Sequence, residues 1–169
     1  MVVIADTSPL NYLILIGHAD VLPELFGEIL IPQAVLLELQ HPKAPGAVAL
    51  WIAAPPPWLV VNRTFPLPHG IDSGLDPGEL EAIALAQEHR PDVLLLIDEN
   101  KGREEAERRN IPTTGTLGVL DLAAGAGLLD LARALEALLR TNFHVGSRII
   151  QRLLGGDALR KRTVKASLL

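Results

Sequence analysis

The chain has 169 residues, 49% of them hydrophobic, and a mean hydropathy of +0.28, which allows one domain with a full core and excludes a disordered or solvating acidic segment. It has no cysteine, so a disulfide scaffold, a thiolate zinc site and a cysteine nucleophile are excluded, and its five histidines lack ligand spacing. The net charge of −5 argues against a simple cationic nucleic-acid binder, yet it is uneven: six basic residues and one acidic from Asn142 onward, nine basic and nineteen acidic before it.

Val2-Val3-Ile4-Ala5 reads as a strand buried on both faces. Asp6-Thr7-Ser8-Pro9 ends it and starts a helix to about Gly17, with Ser8 as the expected N-cap and Pro9 at the first helical position. A short helix is predicted over about 20–26 and a strand over 28–31. Pro32 opens a helix that ends near His41-Pro42. Another short helix is predicted over 45–53, then a stiff Pro55-Pro56-Pro57 connector, a strand at 58–61 and a loop over 64–74. Asp76-Pro77-Gly78-Glu79 starts a helix to about His89. Val93–Ile97 is the clearest buried strand, a charged helix follows over about 99–110, and a short strand at 111–114 leads into a helix over 117–126. Helices near 129–140 and 147–154 close the chain. Alternating strands and helices predict an α/β fold with a parallel sheet of four or five strands and helices on both faces. No apolar run is long enough to span a membrane, and Asp6 interrupts an N-terminus that also lacks a positive segment, so a cytoplasmic protein without signal peptide is expected.

Four acids stand out by position. Asp6 and Asp98 each end a predicted strand, and ligands of open parallel sheets bind beyond the strands' carboxyl ends. Glu38 falls three residues after Val35, at the border of an apolar helix stripe. Glu79 shares a helix face with Ala82, Ile83 and Ala86. Each has a purely structural alternative: Asp6 and Asp98 suit helix caps, Glu79 suits a capping box with Asp76, and Glu38 suits pairing with an arginine. Taken together, carboxylates gathered without adjacent cations repel one another, and a divalent cation removes that conflict. Oxygen ligands favour Mg2+ or Mn2+, which activate water and stabilise phosphoryl charge, so phosphodiester hydrolysis is the implied chemistry.

The segments Ala5-Asp6-Thr7-Ser8-Pro9-Leu10, Leu37-Glu38-Leu39, Leu75-Asp76-Pro77-Gly78-Glu79 with its small-and-apolar continuation, Leu96-Ile97-Asp98 and Thr114-Gly115-Thr116-Leu117-Gly118 together resemble the PIN-domain family of metal-dependent ribonucleases. The resemblance covers about residues 1–125, and includes features of a bacterial branch of nucleic-acid-binding PIN proteins. It implies a three-layer α/β/α sandwich in a single domain over 1–169, its core about 1–125 and a basic helical extension about 126–169. It implies Asp6, Glu38, Glu79 and Asp98 as catalytic and Mg2+- or Mn2+-binding acids, with Thr7 and Ser8 near the metal. Glu79 is one methylene longer than the commoner aspartate, and Asp76 competes for its place.

Substrate contacts are expected from the backbone turn at Thr114 and Thr116, from Arg103 one turn beyond Asp98, and from Arg148 and Arg152, spaced i, i+4 on the basic tail. The same tail suits a partner or a second copy. The expected function is a ribonuclease, VapC-like, acting as the toxin of a toxin–antitoxin pair, with RNA as substrate, an antitoxin partner and a homodimeric state. The alternative is a non-catalytic PIN-like protein that binds RNA or a partner. A phosphoryl-accepting regulator ranks low, because Ser8 stands where a second aspartate would be needed.

Overall fold

The computed structural model describes residues 1–62 and 74–166, so the loop expected over 64–74 lies almost wholly outside the described residues. The chain divides into two compact units, Met1–Thr116 and Leu117–Leu169. In the first, β1 (Val2–Ala5) leads through α1 (Thr7–Leu15) and α2 (Val21–Phe26) to β2 (Ile29–Pro32). Then come α3 (Gln33–Leu39), α4 (Gly46–Ala53), β3 (Leu59–Asn62), α5 (Pro77–Glu88), β4 (Val93–Leu96), α6 (Asn100–Arg108) and β5 (Thr113–Thr114). The five strands form one all-parallel sheet in the order β3-β2-β1-β4-β5. The fold is a three-layer α/β/α sandwich.

Period-two alternation assigns the faces of the sheet. Ile4, Val93, Leu95 and Ile97 pack against Ala82, Ile83, Leu85 and Ala86 of α5 and Ala106 of α6, and all are buried. Val3, Ala5, Ile29, Ile31 and Leu96, also buried, belong to the opposite face. The central strands β1, β2 and β4 are therefore apolar on both sides, as a parallel sheet covered by helices requires.

The starts of α1 and α3 differ from expectation. The N-cap of α1 is Asp6, not Ser8, and the helix starts at Thr7. Pro9 is tolerated two residues inside because first-turn N–H groups have no intrahelical acceptor. At α3 the cap position is Pro32, which has no side-chain acceptor. Instead Glu81 of α5 accepts the Ala34 N–H at 2.8 Å, so one helix caps another.

The second unit contains α7, which spans Thr116–Gly125, α8 (Leu131–Leu139) and α9 (Ser147–Ala166). Asp130 caps α8 by accepting the Arg133 N–H, and Leu131, Ala134, Leu135 and Leu138 form its buried stripe. The last helix, expected to stop at 154, continues through Gly155-Gly156 to Ala166. Charge pairing accounts for the extension. Buried Asp157 holds Lys161 at 2.8 Å and Arg160 at 3.4 Å, one turn on. Arg160 also reaches Asp121 at 2.6 Å and Lys161 reaches Asp130 at 3.7 Å. Part of the basic tail is thus neutralised within its own unit, whereas Arg148 and Arg152 are exposed and make no ion pair among the described residues. No helix among the described residues is long and apolar enough to cross a membrane.

Candidate metal centre

Asp6 is the residue after β1, and its N–H donates to the Leu96 carbonyl of β4 at 2.9 Å. This bond extends the ladder by one residue and keeps Asp6 on the α5 face of the sheet, in register with Ile97. The side chain is 2% exposed. It makes no capping bond to α1, and its Oδ1 is buried without a partner. Asp6 thus occupies the N-cap position of α1 while one of its side-chain oxygens stays buried without a partner.

The α5 face brings three further carboxylates to this point. Glu38, on the last turn of α3, accepts the Thr7 hydroxyl at Oε2 and the Gly78 N–H at Oε1, the latter at 2.9 Å. No arginine or lysine pairs with it among the described residues, so the expected alternative partner is replaced by a hydroxyl and an amide. Gly78 is required by this closeness. A Cβ there would lie 2.7 and 2.8 Å from the two carboxylate oxygens of Glu38. Asp76 and Glu79 form a full capping box: the Glu79 N–H donates to Asp76 Oδ1 at 2.8 Å and the Asp76 N–H donates to Glu79 Oε2 at 3.0 Å. Glu79 is 5% exposed, and its other oxygen, Oε1, is buried and unpartnered.

Asp6, Glu38 and Asp76 each offer one oxygen, all within 4.8 Å of one another. Opposite oxygens on a single magnesium span about 4.2 Å, so these three lie near the reach of one ion. The electrostatics agree. Burial pushes the Asp6 carboxyl well above its ordinary range, and the charges of Asp76, Glu79 and Glu38 push it further, against one backbone hydrogen bond from Thr7. Burial also raises Glu79, with Asp76, Glu99 and Glu38 adding to the rise against the capping-box bond. A buried acid with an orphaned oxygen, grouped with two further carboxylates, is what a hard divalent cation relieves, and the residues present fit that group.

Asp98 stands apart. Its strand does lie beside the one ending in Asp6, as expected, but the register pairs Ala5 with Leu96, so Asp98 is one residue further on and alternation turns it to the other face. There it accepts two bonds from Thr116, the N–H at 2.7 Å and the hydroxyl at 2.6 Å. It therefore caps the helix that opens at Thr116 rather than the one that follows Asp98 itself. Burial raises its carboxyl, while the Thr116 bonds and the Arg103 guanidinium oppose the rise. The Tyr12 phenol is likewise raised, by burial and then by Asp98 and Glu99. The charges acting most strongly on Asp6 are Asp76, Glu79 and Glu38, and those on Asp98 are Arg103 and Glu99. The rim thus has an acidic side and a mixed side.

The remaining predicted residues distribute as follows. Thr7 is bound to Glu38, and Ser8 is half-buried in the first turn of α1. Thr114 lies in β5, its carbonyl accepting the Ile97 N–H at 2.8 Å. Thr116 is fully buried and spends both donors on Asp98, so the expected phosphate contact is replaced by a carboxylate contact. Arg148 and Arg152 belong to the second unit. Sequence reading missed Gly78 and Gly115. A Cβ on Gly115 would fall 2.4 Å from Asp98 Oδ1, and a glycine directly beside or opposite a candidate acid was the available signal.

A family model described as a PIN domain matches residues 2–156, most of the chain. The chain belongs to the PIN-domain family, whose fold is that of nucleases and whose members typically depend on divalent metals. No curated protein and no solved structure matches it.

Proposed function

We propose that the chain is a Mg2+- or Mn2+-dependent ribonuclease that hydrolyses RNA phosphodiester bonds and acts as the toxin of a toxin–antitoxin pair. The observation that carries the nuclease reading is the buried, unpartnered Asp6 Oδ1 in a group of three carboxylates, Asp6, Glu38 and Asp76, of a PIN-domain chain. In this reading Asp6, Glu38, Glu79 and Asp98 are the catalytic, cation-binding acids, and Asp76 competes for the place of Glu79, a competition that the grouping of Asp6, Glu38 and Asp76 favours. A bound Mg2+ or Mn2+ supplies an activated water and stabilises charge on the phosphoryl oxygens. The protein's own part is to aim the ligands. Thr7 and the Gly78 amide fix Glu38, the capping box fixes Asp76 and Glu79, and Thr116 fixes Asp98. Arg103, Ser8 and Thr114 serve the substrate near the rim, and Arg148 and Arg152 serve its backbone.

The toxin role, the antitoxin partner, the homodimer and the cytoplasmic location rest on the family resemblance. The family match runs through both compact units, which supports reading 1–169 as one domain. The test is incubation of the full chain with single-stranded RNA in Mg2+, in Mn2+ and in EDTA, beside Asp6→Asn. Cleavage in either metal and none in EDTA or in the variant is expected. Undiminished cleavage by Asp6→Asn refutes the assignment, and RNA bound without cleavage by the metal-loaded chain leaves the non-catalytic alternative. Co-purification with the product of a small adjacent reading frame tests the toxin role.

A further inference from the structure

A cavity of about 300 Å³ opens beside Glu38, between α1, α3 and the turn into α4. Its polar wall includes Asn11, His41 and Lys43, and its apolar wall includes Leu39 and Val48. Glu38 of the acidic cluster and Thr7 complete the lining, which is mainly apolar. The Lys43 N–H donates to His41 Nδ1 at 3.1 Å, which leaves Nε2 as the donor of the neutral ring. The Lys43 side chain is exposed and makes no ion pair among the described residues. Arg103 acts on Asp98 from the mixed side of the rim. The carboxylates are thus bracketed by one cation on the Asp98 side and one on the Glu38 side.

We propose that this cavity is a nucleotide subsite of the substrate strand: Lys43 binds a phosphate next to the scissile one, and Asn11 and His41 meet the edge of a base whose face rests on Leu39 and Val48. The inference rests on the nuclease reading and extends it to base preference. Charge complementarity selects the occupant. A polyanion must approach an acidic rim, and a basic side chain beside it adds to what a bound cation neutralises. An apolar wall with an amide and an imidazole donor at its edge suits a heteroaromatic ring better than a bare phosphate.

The test uses short single-stranded rA, rC and rU homopolymers, titrated by fluorescence anisotropy against the full chain carrying Asp6→Asn in Mg2+, over a range of salt. Adding Lys43→Gln should reduce the slope of log affinity against log salt by about 0.7. Adding Asn11→Ala or His41→Ala should compress the affinity ratio between best and worst homopolymer about threefold to tenfold, the loss of one hydrogen bond. With Asp6 intact, the thermal shift caused by Mg2+ should be unaltered by Asn11→Ala, which shows that fold and cluster are preserved. Unchanged slope and unchanged preference in all three variants overturn the proposal, as does a chain that binds no strand at any salt. Wild-type cleavage is scored separately. Cleavage with unchanged slopes removes the subsite and keeps the nuclease; altered slopes in a chain that never cleaves remove the nuclease and keep the subsite.

Discussion

Asp6→Asn should make the metal-free protein more stable, the reverse of the usual cost of altering a buried polar residue. Asp6, Glu38 and Asp76 present oxygens within 4.8 Å of one another. At that separation two unit charges repel by about 3.5 kcal/mol at an effective dielectric of 20 and about 0.9 kcal/mol in bulk water. The substitution removes two such pairs. Because Asp76 is exposed and Asp6 escapes part of the repulsion by holding its proton, the lower end applies, about 2 kcal/mol. For a chain of this size that is a rise of roughly 4–8 °C in Tm. The pH dependence has a definite sign. The native Asp6 carboxyl, raised mainly by burial, keeps its proton above its ordinary value of 3.8, whereas the unfolded chain has released it. Metal-free stability therefore falls as pH rises above 3.8 and through the raised native range, and Asp6→Asn should flatten that fall. Saturating Mg2+ reverses the order: at a hundred times Kd the wild type gains about 2.7 kcal/mol, and the variant gains little. Calorimetry in EDTA and in Mg2+ across pH 4–8 reads all three effects. A variant less stable than wild type in EDTA, or one keeping the full Mg2+ shift, refutes the reasoning.

Gly78→Ala should leave folding stability within about 1 kcal/mol, since alanine favours a helix, while the new Cβ displaces the Glu38 carboxylate and weakens the Mg2+ thermal shift. An undiminished shift would show that Glu38 is no ligand. Thr116→Val should remove one of the two bonds to Asp98, shift the Asp98 carboxyl further upward, and move the acid limb of any pH–activity profile to higher pH without changing the Mg2+ affinity of the Asp6 cluster. Replacing Arg148 and Arg152 together by Gln should lower the salt slope of RNA binding by about 1.4. An unchanged slope, with Ile149→Asp altering the mass seen by light scattering, would assign the tail to an interface instead.

The alternation of strands and helices, the five strands and the all-parallel sheet were legible because each strand is a short apolar run bounded by proline, glycine or an acid. Asp6 and Glu38 were legible for a related reason: each is an acid where the pattern requires an apolar or capping residue. The division of labour between Asp76 and Glu79 was not. The inward face of Glu79 was legible from Ala82, Ile83 and Ala86, but only the packing of α5 beside α3 shows that Asp76 joins the oxygens of Asp6 and Glu38. Asp98 was legible as a strand-end acid, but its separation from Asp6 depends on a one-residue register offset between β1 and β4, which no local pattern encodes. The length of α9 was hidden by Gly155-Gly156, whose low helix propensity reads as a stop although the helix runs on to Ala166.

The first turn of α5 ties the cation ligands to the least protected part of any helix, its end. The amides of Asp76, Gly78 and Glu79 donate to carboxylates of the acidic cluster. When that turn frays, Glu38 loses its amide donor and Asp76 and Glu79 lose their mutual bonds in the same event. In the proposed reading, ion release would be coupled to local opening of the backbone, which proton exchange at those three amides reports.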